Sequence, residues 1–130
     1  MKNNYGFGKT VSYSFDDAIT KVTQALQSEG FGVLSDIDVA ATLKKKLNLD
    51  SAPYRILGAC NPTLAHRALE IEPSIGLLLP CNVVVRAKED NKTEVEILDP
   101  NIIANLVNKS EILSLSAEAK ERLKRVLDSL

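Results

Sequence analysis

The sequence predicts an α+β fold: a single domain with a mainly antiparallel sheet and helices packed on one face, in the order β-α-β-α-β-α-β-β-α-α. Three observations predict it. Segments in which apolar and polar residues alternate give way repeatedly to segments with apolar residues at helical spacing. A polar turn at residues 89–92 joins two β-like segments into a hairpin, which argues against an all-parallel sheet. The 130 residues, 45% hydrophobic and 25% charged, suit one globular domain over residues 1–130.

Residues 5–13 read as a half-buried strand, because Tyr5, Phe7, Val11 and Tyr13 share one parity. Ser14 opens a helix over residues 15–28, with Asp17 as the acidic partner of a capping box. Phe15, Ala18, Ile19, Val22 and Leu26 give that helix an apolar stripe, and Gly30 ends it. Phe31, Val33, Ser35 and Ile37 make a short second strand, and Asp38 caps a helix over 39–47 with Ala40, Leu43 and Leu47 inward. Residues 48–53 are a loop and 54–59 a third strand. Asn61 is an N-cap with Pro62 at N1, where its missing N–H costs nothing, so residues 62–72 form a helix that buries Leu64, Ala65, Ala68 and Leu69.

Residues 75–87 form one long β-like run, in which Pro80 marks an edge or bulge. Residues 93–98 alternate cleanly and complete the hairpin. Asp99-Pro100 is a second cap-plus-N1 pair and opens a short helix through Val107. Ser116 caps a last helix over 117–129, with Ala119, Leu123, Val126 and Leu127 on one face. Helices on one side leave the other sheet face open, and a homodimer would cover it. Gly-Phe-Gly occurs at 6–8 and 30–32, inside or before a strand each time, which is the wrong place for a phosphate-binding loop.

Composition excludes several classes. Sixteen basic residues oppose seventeen acidic ones, so the basic excess of a nucleic-acid binder is missing. There is no Trp, and every Phe and Tyr lies at or before Tyr54, so the second half has no base-stacking platform. No apolar run approaches the ~20 residues that span a bilayer, and the N-terminus has no apolar signal core. The expected address is the cytosol, where Cys60 and Cys81 are free thiols.

The chemistry-bearing residues are few: one histidine, two cysteines, and no serine-elbow, zinc-protease or CxxC motif. Two similar segments concentrate them, Gly58-Ala59-Cys60-Asn61-Pro62 and Leu79-Pro80-Cys81-Asn82. Cys60 sits just before a helix N-terminus, whose dipole favours a thiolate. Thr63, His66, Arg67 and Glu70 share one polar face of that helix. Cys60, Asn61, His66, Arg67, Cys81 and Asn82 are therefore the candidate ligand-binding residues. Cys60, His66 and Cys81 are candidate metal ligands, with zinc the possible cofactor and copper(I) the soft alternative. Cys60 is the candidate nucleophile, with Arg67 or His66 stabilising its thiolate. Against these stands a plain structural account: two small buried side chains and one surface histidine. The Glu70/Glu72 and Glu94/Glu96 pairs read as solvated surface.

A longer set of residues resembles a known family. Glu29-Gly30-Phe31-Gly32-Val33-Leu34, Ile37-Asp38-Val39, Thr42-Leu43-Lys44, the stretch from Pro53 to Pro62, Ala65-His66, Gly76 to Val85 and Asp99-Pro100 together resemble domain of unknown function 302. The resemblance covers nearly all of the chain before the last helices. It implies a small dimeric α+β domain with no established biochemical activity, and it marks the Cys-Asn-Pro and Pro-Cys-Asn segments as hallmarks. A tight backbone turn at Asn61-Pro62 would explain the first of them without a ligand. The sequence thus favours a ligand- or metal-binding module with its site near Cys60 and Cys81. The alternatives are a thiol-dependent enzyme or sulfur carrier using Cys60, and a structural dimerisation domain; no nucleic acid or membrane partner is expected.

Overall fold

A computed structural model describes residues 3–130; Met1 and Lys2 lie outside the described residues. Five strands form one sheet in the order β1-β5-β4-β3-β2. They are β1 (Gly6–Val11), β2 (Gly32–Asp38), β3 (Tyr54–Cys60), β4 (Cys81–Ala87) and β5 (Thr93–Leu98), and every neighbouring pair is antiparallel. The helices are α1 (Phe15–Ser28), α2 (Val39–Leu47), α3 (Pro62–Ile71), α4 (Pro100–Val107) and α5 (Ser110–Asp128).

The alternation of β3, β4 and β5 decides which sheet face is covered. Leu57, Ala59, Val83, Val85, Val95 and Ile97 are all buried on the same side. Ala18, Val22 and Leu26 of α1 and Leu123, Val126 and Leu127 of α5 pack onto them. Each such Val, Leu or Ile removes enough apolar surface from water to contribute roughly 1.5–3 kcal/mol.

The local signals act as their chemistry dictates. Ser14, Asp38, Asn61 and Asp99 each accept a backbone N–H from the first turn of their helix. Gly30 adopts φ +83°, and its N–H and that of Phe31 donate to the carbonyls of Gln27 and Leu26, closing α1 in a Schellman motif. Asp90 and Asn91 both have positive φ, and Lys92 N–H donates to the Glu89 carbonyl, the mirror-image turn that suits a β-hairpin.

The structure corrects the sequence reading at several points. The run 75–87 is not one strand: Pro73–Leu78 is a short 3₁₀ helix and the strand starts at Cys81, because Pro80 has no N–H for the ladder. The last helix starts at Ser110 rather than after Ser116. Ser116 sits inside α5 and is buried with Ile112 and Leu115, a small side chain tolerated on the packed face. The first strand is shorter than 5–13, and β2 has a register shift between Val33 and Ser35 that leaves Leu34 as the bulged residue. Leu47 and Leu69 are exposed: α2 buries no residue fully, with Ala40 and Leu43 only partly covered, and α3 buries only Leu64 and Ala68. Glu94 is not solvated surface but 5% exposed, accepting the Thr10 hydroxyl at 2.6 Å with Lys88 Nζ at 3.3 Å.

Candidate functional site

At one end of the sheet, β3 leads out into α3 and β4 begins after the 3₁₀ helix. Ala59 pairs with Cys81 there, and Gly58 with Asn82. A Cβ on Gly58 would stand 2.3 Å from Ser35 Oγ and 2.7 Å from Pro80 Cγ, so only glycine lets Pro80 close against β3. The helix α3, the 3₁₀ helix, α4 and the first half of α5 gather beyond this end into a second apolar cluster that includes Cys81.

That cluster borders an open-mouthed cavity of about 310 Å³. Its sheet side is Ala59, Cys60, Pro80 and Cys81. Leu64, Ala65 and Ala68 of α3 face Leu115, Ser116 and Ala119 of α5 across it, with Ile75 and Ile103 completing the wall. The methyl side chains of Ala65, Ala68 and Ala119, and Gly76 with no side chain, do not fill the space between the elements. Leu34 and Leu69 line the cavity while remaining 72% and 42% exposed, so they belong to its mouth.

Of the sequence candidates, Cys60, Asn61 and Cys81 line this cavity. Asn61 Oδ1 accepts the Leu64 N–H at 3.2 Å, and its backbone carbonyl accepts the Ala65 N–H at 2.9 Å. Cys60-Asn61-Pro62 is thus a strand-to-helix junction, whereas Pro80-Cys81-Asn82 is a strand start. Asn82 is exposed, one residue out of phase with the buried Cys81 and Val83, and does not line the cavity.

The structure does not bring His66 or Arg67 to the cysteines. His66 is on the solvent side of α3, its ring Nε2 2.9 Å from Glu70 Oε1 with the side chain 75% exposed. Arg67 is likewise exposed. Both follow from the amphipathic pattern, since Leu64 and Ala68 take the covered face. The proposed Cys60–His66–Cys81 metal set is therefore not assembled, and among the described residues no three His, Cys, Asp or Glu side chains are placed to hold a metal ion.

The thiols also differ from expectation. Burial pushes Cys60 up, not down, and the first-turn amide of Leu64 is already taken by Asn61. Burial, reinforced by the neighbouring Cys60, pushes Cys81 up to about 11. At both positions burial favours the uncharged thiol over the thiolate that an activated nucleophile needs. The site residues missed in the sequence are Leu34, Leu69, Ser116 and Ala119. Only the recurrence of small residues at helical spacing in α3 and α5 hinted at the void.

Among the described residues no helix is long and apolar enough to cross a membrane. A family model described as Domain of unknown function DUF302 matches residues 7–130. The chain is similar to an uncharacterized conserved protein DUF302 from Bacillus stearothermophilus known from its crystal structure. The two share 30% identity and a TM-score of 0.88, over 97% of this chain and 98% of that one. No curated protein matches.

Proposed function

Because the chain belongs to the family described as Domain of unknown function DUF302, a description that names no activity, we propose a function from the site itself: a module that binds one small apolar ligand in the cavity at the Cys60–Cys81 end of the sheet. One observation carries this reading, a cavity of about 310 Å³ walled by apolar side chains and opening past Leu34 and Leu69. Pockets for small ligands start at roughly 300 Å³. An apolar void of roughly 150 Å³ already takes up benzene, so this one has room for about a dozen non-hydrogen atoms. The cysteines serve here as uncharged, polarisable wall atoms.

The test is an NMR titration of the purified protein with naphthalene, comparing the wild type with Ala68→Phe. Ala68 lines the cavity from α3, so the larger ring occupies the void. Saturable shifts confined to cavity residues, lost in the folded Ala68→Phe variant, are the expected result. Shifts scattered over the surface, or unchanged by Ala68→Phe, would sink the reading.

A second reading concerns assembly as a homodimer. Ile37, Ile56 and Val84 are register neighbours across β2, β3 and β4 on the face opposite α1 and α5, and none is fully buried. This apolar row supports pairing with a second copy. Sedimentation of Ile37→Lys beside the wild type tests it: a wild type that is already monomeric at tens of micromolar removes the reading.

A further inference from the structure

The ligand's chemical class follows from the polar atoms in the cavity wall, given the binding reading above, on which this inference rests. No Asp, Glu, Lys, Arg or His lines the cavity. Three of the cations carried by the surrounding elements are already engaged, Lys120 with Asp99 at 2.9 Å, Lys109 with Glu72 at 3.1 Å, and Arg122 with Glu118 and the Glu29 carbonyl at 3.2 Å, while Arg67 is exposed on the solvent side of α3. A ligand carboxylate or ammonium would enter an apolar space without a counter-charge, which is strongly unfavourable.

The polar groups that remain are mainly donors. Asn61 is the clearest. The Leu64 N–H must point at an acceptor, so it fixes the side-chain oxygen at the helix and turns Nδ2 outward from the cap. That Nδ2 donates to no protein acceptor among the described residues. It lies close to Gly30, where an added Cβ would stand 3.1 Å from it and 3.7 Å from Arg122 Nη1, so glycine there leaves the amide room. The protonated Cys60 and Cys81 thiols offer S–H donors, and the Ser116 hydroxyl can donate or accept. We propose that the cavity takes an uncharged, compact molecule whose polar group is a hydrogen-bond acceptor, a ketone, aldehyde or ester carbonyl, received by the Asn61 side-chain amide.

A matched series tests this: naphthalene, 1-acetylnaphthalene, 1-naphthoate and 1-naphthylmethylammonium, titrated into the wild type, Asn61→Asp and Asn61→Ser, with the Asn61 amide resonances as a direct readout. Both variants keep a side-chain oxygen that can cap α3 while losing the amide donor. In the wild type, acetylnaphthalene is expected to bind about fivefold tighter than naphthalene, the worth of one neutral hydrogen bond. It should bind at least about tenfold tighter than either charged compound, and it should shift the Asn61 amide protons. Both variants should bind acetylnaphthalene and naphthalene alike. A charged compound binding as tightly as the ketone overturns the uncharged class. A ketone preference that survives in both variants, or is missing from the wild type, overturns the role of Asn61. If none of the four compounds binds, the cavity reading itself has failed.

Discussion

Ala59 and Cys81 are register partners across β3 and β4, and both line the same cavity. The last rung between β3 and β4 is therefore at once core and site wall. Ala59 belongs to the cluster under α1 and α5, Cys81 to the cluster under α3 and α4. This double duty explains why the Cys81 thiol is buried and why its environment opposes ionisation.

The thiols should accordingly react slowly. Iodoacetamide labelling at pH 7 is expected to modify the half-buried Cys60 before Cys81, and both more slowly than a free thiol. Linkage gives the sign at alkaline pH. The Cys81 thiol is held at about 11 in the folded chain, against an ordinary value of 9.0. The folded state therefore keeps a proton that the unfolded state loses. This contribution is fully present below pH 9 and is lost as pH rises toward 11, with an amplitude of roughly 3 kcal/mol. Urea unfolding from pH 8 to 11 should show this loss in the wild type and much less of it in Cys81→Ala. Rapid labelling of Cys60 at neutral pH would instead return the nucleophile reading to favour.

Two leucines with different surroundings should separate stability from binding. Leu26 is fully buried against the sheet, and Leu26→Ala is expected to cost about 2–5 kcal/mol. Leu34 is bulged out of β2 at the cavity mouth, and Leu34→Ala should change stability by less than about 0.5 kcal/mol. Denaturant midpoints read the first effect. Weakened naphthalene binding in a normally stable Leu34→Ala protein would mark the second residue as part of the entrance.

How much of this was legible beforehand depended on how local the cause was. Helix starts were legible because one side chain and one amide make them: Ser14, Asp38, Asn61 and Asp99 all cap as read. The start of α5 was not, because Lys109 makes no side-chain cap hydrogen bond while Ser116, a good cap by type, sits within the helix. The strand order depends on partners tens of residues apart, which no local pattern encodes. The polar face holding His66 and Arg67 was read correctly, and that same periodicity turns them away from the cysteines. The cavity was hidden because Ala65, Ala68 and Ala119 read as ordinary core residues; only the spacing between their helices makes them walls.

Acid should expose the Glu94 cluster. Burial alone would raise this carboxyl, but the Thr10 hydroxyl and Lys88 outweigh it, with Arg86 adding attraction, and hold Glu94 below the usual carboxylate range. A depressed folded-state value means stability that is present above the unfolded pKa and lost as pH falls through the folded one. Glu94→Gln should cost about 1–3 kcal/mol at pH 7, as expected for hydrogen bonds to a charged group. The gap between variant and wild type should narrow as pH drops from 5 toward 3. Thermal melts across that range check it; a gap that is constant with pH would mean that Glu94 acts by packing alone.

Asn61 offers the sharpest separation of structure from function, because its two amide atoms have different jobs. The oxygen caps α3 through the Leu64 N–H, and losing it in Asn61→Ala should cost about 1 kcal/mol. The nitrogen makes no such contribution, so Asn61→Asp, which keeps an oxygen there and adds a negative charge at the helix N-terminus, should be at least as stable as the wild type. Chemical denaturation of the three proteins therefore predicts the order Asp at or above Asn, and both above Ala. The roughly fivefold preference for the ketone over naphthalene, by contrast, should be lost in both variants, since neither retains the amide donor. If Asn61→Asp were as destabilised as Asn61→Ala, the amide nitrogen would be holding the fold together, and its assignment to the ligand would fall with it.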